Sequence, residues 1–159
     1  MLSLRRKGGR FEIAFVKEEI EILMDLPEQL REIIENPDFT KKAARRLFPP
    51  GSEDPEVQLE YMEVSAEEIR AHKLENLDGF AETLLNPRKH LGLRFITLTP
   101  EQFEYWLGFL NDMRLLLGSE IGVDSNSWGS DIDWDALEDD TIRVYGYLSY
   151  LQQALLDAC

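Results

Sequence analysis

The sequence contains one cysteine in 159 residues, and that one is Cys159. An internal disulfide framework and a cysteine-based zinc site are therefore excluded. Histidine is almost as scarce, with only His72 and His90. Neither stands in a His-Glu-x-x-His zinc spacing or an evident Ser-His-Asp set, and the Glu-x-x-His pairs of a di-iron bundle are missing. There is no G-x-G-x-x-G or phosphate-loop pattern, so nucleotide binding has no support. No stretch approaches the roughly 18 apolar residues that a membrane-spanning helix needs. Leu2 to Leu4 run straight into Arg5, Arg6 and Lys7, which leaves no apolar core for a signal peptide. The expected location is the cytoplasm, and the near absence of cysteine agrees. Positive charge is also in short supply: 17 Lys and Arg face 31 Asp and Glu, a net −14. That excess repels phosphate backbones and makes nucleic acid an unfavoured partner.

What is present is enough apolar material for one core. Hydrophobic residues make up 43% and aromatics 10%, which excludes wholesale disorder and fits a single domain over 1–159. Charge is unevenly placed. Residues 1–46 carry ten basic and nine acidic side chains; residues 47–159 carry seven and 22. The stretch 119–141 holds eight acids and no base, and reads as an acidic loop.

The periodicity predicts a mostly helical α+β domain, with four to five packed helices and a small antiparallel sheet. Leu2 to Leu4 and Arg10 to Ile13 alternate around a Lys7-Gly8-Gly9 turn and form a hairpin. Arg5, Arg6, Lys7 and Arg10 give it a charged edge that discourages aggregation. Residues 16–35 read as a helix with a kink or restart before Pro27. Residues 40–48 follow as a short helix. Pro55 opens another to about Glu63, and Ser65-Ala66-Glu67-Glu68 forms a capping box for a separate helix to about Leu85. Leu93 to Leu98 is a strand that must pair with the hairpin. Thr99-Pro100-Glu101-Gln102 is the strongest local signal: a capping threonine, a proline at the first helical position and a glutamine that reaches back. That helix runs to about Leu117, with Gly118 at its end. The last helix reaches Leu156 from about residue 137 or 141. It is apolar on more than one face, which fits central burial or a homodimer interface. The expected core is Phe11, Ile20, Leu23, Leu30, Phe80, Leu84, Phe95, Phe103, Trp106, Leu110, Leu148 and Leu151.

Four segments carry a family likeness: the hairpin with its acidic-apolar helix, Arg45 to Pro50 with Asp54-Pro55-Glu56, Trp106-Leu107 with Asn111 to Gly118, and the close from Tyr147 to Leu156. Together they resemble the bacterial family catalogued as domain of unknown function 2017. Gly51-Ser52-Glu53 departs from the aromatic residue expected after the paired prolines. The resemblance implies no activity, cofactor or catalytic residue. Relatives are often encoded beside a Clp-protease adaptor, which implies a link to protein quality control.

Three groups of side chains are candidates for binding. Asn111, Asp112 and Arg114 place polar groups beside an apolar stripe, and an inward Arg114 demands a carboxylate partner or an anionic ligand. Lys41, Lys42, Arg45 and Arg46 put four cations on a turn and a half; they offer an anion site or a salt-bridged face. Asp124, Asn126, Asp131, Asp133 and Asp135 invite a calcium-loop reading. Counting from Asp124 puts Trp128 at a ligand position and Asp135 where a glutamate is expected. Counting from Asp131 puts Ala136 at the glycine and Ile142 at the glutamate. The function expected is a non-catalytic interaction or regulatory module with a protein partner. The alternatives are a small enzyme or metal-dependent binder using the acidic loop with Arg114, and a nucleic-acid binder using the basic clusters.

Overall fold

Alternation about a glycine turn folds the start of the chain back on itself. In the computed structural model, β1 (Ser3–Lys7) lies antiparallel to β2 (Arg10–Val16), with Lys7 opposite Arg10. The structure describes residues 1–48, 55–122 and 139–159, with the side chains of 55–65 and of 139 outside that description. As expected, the strand at Leu93–Leu98, β4, pairs with the hairpin: it lies on the free edge of β2, Ile13 opposite Ile96. A short strand that sequence reasoning missed, β3 (Arg88–His90), completes the sheet in the order β1-β2-β4-β3. It is joined to β4 by Leu91-Gly92, both with positive φ, the conformation two-residue hairpin loops need.

The two faces of this sheet differ because side chains alternate. Phe11, Ile13, Phe15, Ile96 and Leu98 are buried on one face, under the helices. Phe95, expected in the core, lies on the other. The register opposite Ala14 and Arg88 sets it there, and the Arg88 guanidinium covers its ring at 4.4 Å.

Helix α1 (Lys17–Glu35) buries Ile20, Leu23, Leu26, Pro27, Leu30 and Ile34 on one stripe. Of the kink or restart expected before Pro27, the restart does not occur: the helix continues through Pro27. Burial of the residues on either side holds the turns together despite the missing donor. Helix α2 (Lys42–Leu47) is short and buries Ala43, Ala44 and Leu47. Helix α3 (Pro55–Thr83) is one helix of 29 residues. Ser65 therefore lies inside it, and the capping box expected there has no helix start to serve. Helix α4 (Pro100–Ile121) begins as its sequence dictates: the Gln102 amide donates to Thr99 Oγ1 at 3.1 Å, and the Thr99 amide donates to Gln102 Oε1 at 2.9 Å. It passes the expected stop at Gly118, which is buried within it, and ends at Gly122 with φ of 82°. Helix α5 (Asp139–Asp157) closes the chain.

Trp106 on α4 marks the centre of the core. It is fully buried, with Phe15 and Phe80 against its ring system and its indole N–H donating to Thr83 Oγ1 at 2.9 Å. Apart from Phe95, every residue expected in the core is buried. Helix α4 takes the central place, which was one of the two positions expected for the last helix, the other being a homodimer interface. Helix α5 packs on α4 through Tyr145, Leu148, Leu151 and Leu155, and leaves Tyr150 and Leu156 half exposed. Among the described residues, no helix is long and apolar enough to cross a membrane.

Candidate functional site

Helical geometry turns successive residues by about 100°, so Asn111, Asp112 and Arg114 cannot share one face of α4. Asn111 is exposed. Asp112 is buried toward α3, where Lys73 Nζ donates to its carboxylate at 2.6 Å. Burial raises the Asp112 pKa, and the opposing charge of Lys73 only partly offsets it. Arg114 faces α5. Its Nε donates to Ser149 Oγ at 3.1 Å, one terminal nitrogen donates to Gln152 Oε1 at 2.5 Å, and the guanidinium lies 5.8 Å from the Tyr145 ring centre. Among the described residues, the oxygens that hold Arg114 are neutral, where a carboxylate partner or an anionic ligand was expected. The guanidinium's fixed fork of donors fits two acceptors one helical turn apart. This polar motif ties α4 to α3 on one side and to α5 on the other.

Lys41 and Lys42 stand at the start of α2, exposed. With Ser119 and Glu120 they rim a cavity of about 340 Å³ whose walls include Ile33, Ala43 and Leu116. Burial raises the pKa of Glu120 in this rim. Arg45 and Arg46 do not line the cavity, so the four cations do not converge on one point. The chain from 119 to 121 belongs to α4 and that from 139 to 141 to α5. Asp124, Asn126, Asp131, Asp133 and Asp135 lie outside the described residues. Among the described residues, no group of three or more His, Cys, Asp or Glu is placed to hold a metal ion.

Two glutamates that sequence reasoning passed over organise more of the molecule. Glu12 is the acid of the open sheet face. Arg5 on β1 donates to it at 2.9 Å, and Arg88 on β3 reaches its other oxygen at 3.7 Å. Strand alternation puts all three on one face, and that signal was readable. Glu19 on α1 accepts from the Val16 amide at 3.0 Å, from Tyr147 Oη at 2.6 Å and from the Met1 ammonium. Burial works to raise its pKa, yet the ammonium, Tyr147 and Val16 together win and lower it. The partner Tyr147 lies 128 residues away, and no sequence pattern reports a contact of that separation.

Compared with known proteins, the family model described as a domain of unknown function, DUF2017, matches residues 1–159. No curated protein and no solved structure matches the chain.

Proposed function

Given that the chain belongs to the DUF2017 family along its whole length, we propose that it is a non-catalytic protein-interaction module with a regulatory or adaptor role in the cytoplasm. The observation that carries this reading is the use made of the charged groups inside the helical core. Asp112 is bound by Lys73, and Arg114 by Ser149 and Gln152, so both serve helix packing. A general acid or an anion-binding guanidinium needs its donors or acceptors aimed at accessible space. Exposed apolar side chains, among them Met24, Leu85, Tyr150 and Leu156, supply surface for a partner. The family resemblance makes the protein quality-control machinery the partner class of first interest.

The test is capture from the protein's own cell lysate with the full chain as bait, read by mass spectrometry against an unrelated bait of equal charge. A recurrent stoichiometric partner is expected; a clean bait overturns the reading. Tyr150 and Leu156 on α5 also favour a homodimer as one form of this reading. Light scattering that gives one monomer mass at every concentration removes that form.

A further inference from the structure

The sheet concentrates positive charge in an acidic protein. Residues 3–16 and 88–98 hold seven of the 17 basic side chains and one of the 31 acidic ones, a balance of +6. The rest of the chain carries −20 to reach the net −14. The register puts four of the seven, Arg5, Lys7, Arg10 and Arg88, with Glu12 on the side turned away from the helices, where these four cations, His90 and Thr97 are exposed, and it puts Arg6, Lys89 and Arg94 on the other side. Resting on the interaction-module reading above, we propose that this open sheet face docks an acidic, extended protein segment.

Three observations select that occupant. First, Arg5 from one edge strand and Arg88 from the other converge on Glu12, which is largely covered, while the two arginines keep 67% and 58% of their side-chain surface exposed. One carboxylate holds two guanidiniums in place, and the unused N–H groups of each remain available. A guanidinium so placed takes a second carboxylate in a forked pair. Second, the basic region is short. Strands of five to seven residues span about 16–23 Å, the length of an extended segment of similar residue count. A longer polyanion runs off the sheet onto a body whose described side chains outside the sheet hold 19 acids and ten bases, and is repelled there. Third, this face carries two rings, Phe95, which Arg88 covers at 4.4 Å, and His90, 6.5 Å from Phe95, so a single ring is left open. Single-stranded nucleic acid is held by several open aromatic rings that stack bases, and this face does not present them. The acidic remainder also gives orientation: an acidic segment is attracted by the sheet and turned away elsewhere.

The experiment is fluorescence anisotropy on the full chain with two labelled probes, an Asp/Glu-rich peptide of about eight residues and an oligothymidylate of the same contour length. The peptide is expected to bind at low salt and to weaken as salt rises. The R5Q/R88Q double variant is expected to weaken it at least tenfold, and K41Q/K42Q, away from the sheet, to leave it unchanged. Circular dichroism and thermal melting confirm that both variants fold. Absence of peptide binding, equal loss in the two variants, or preference for oligothymidylate overturns the proposal. Repeating the lysate capture with R5Q/R88Q separates the two readings. A partner held equally by wild type and variant sinks the docking surface and leaves the module reading standing, whereas no partner on either bait sinks the module reading itself.

Discussion

Gly79 on α3 lies so close to the ring of Tyr105 on α4 that a β-carbon at position 79 would overlap it. The relation is reciprocal along the same crossing: Gly108 on α4 faces the buried Asn76 amide of α3 just as tightly. Two glycines, one on each helix, let the central pair approach, and that approach brings Phe80 and Phe109 into a stack with centroids 3.9 Å apart.

The first prediction contrasts these glycines with a third. G79A and G108A force side chains apart in a packed crossing, and each is expected to cost about 1–3 kcal/mol. Gly146 on α5 is exposed, and an added β-carbon there meets nothing within 4 Å. G146A is expected to stabilise by about 0.5–1 kcal/mol through helix propensity. Urea unfolding of the three variants checks the signs; destabilisation by G146A of the same size as by G79A contradicts the account.

The buried Lys73–Asp112 pair gives the second. Removing one partner leaves a charge without its counterion, so K73M and D112L are each expected to cost about 3–5 kcal/mol, while K73M/D112L recovers much of the loss. Burial raises Asp112's pKa in the folded chain. A raised carboxyl pKa means the folded state holds the proton more tightly than the unfolded one. Its stabilising contribution is complete below the unfolded value and disappears as pH climbs through the folded value. D112N abolishes that dependence, which is visible as a flatter stability profile on the acid side of neutrality.

Glu19 has the opposite sign. Its pKa is lowered from an ordinary 4.5, so its contribution is present above that value and is lost as pH falls through the folded one. Between about pH 5 and pH 3, wild type is expected to lose more stability than E19Q. Y147F removes one donor to a charged acceptor and is expected to cost about 1.5–3 kcal/mol at neutral pH. The measurement is unfolding free energy against pH for wild type, E19Q and Y147F. An E19Q profile with the same acid slope as wild type refutes the assignment.

How much of this the sequence disclosed depends on the range of the interaction. The Thr99–Gln102 cap was legible because both residues belong to one helical turn. The pairing of the hairpin with 93–98 was legible because an isolated strand is unstable. Phe95 was misplaced because Leu93 to Leu98 is apolar on both faces, and only the register opposite Ala14 decides which face is buried. The break expected at Ser65 failed for a related reason: a capping sequence is a local preference, and it does not stop a helix that continues on both sides. In the candidate site, the inward aim of Arg114 followed from its spacing to Leu110 and Leu117, but the identity of its partners depended on the docking of α5. Asp112 was paired across 39 residues with Lys73, and nothing in the local sequence names that lysine.

Arg114 supports the last prediction, because its two neutral partners both lie on α5. Ser149 and Gln152 are one turn apart, and the planar fork reaches both at once. A lysine carries the same charge on a single nitrogen and cannot reproduce that span. R114K is therefore expected to behave much like R114M, each losing about 1.5–3 kcal/mol. The loss should be local. Hydrogen exchange is expected to quicken in α5, whose packing is with α4, and to stay unchanged in the sheet. Q152L combined with R114M should cost little more than R114M alone, since both remove the same hydrogen bond. If R114K keeps full stability, charge rather than the forked geometry is what position 114 requires.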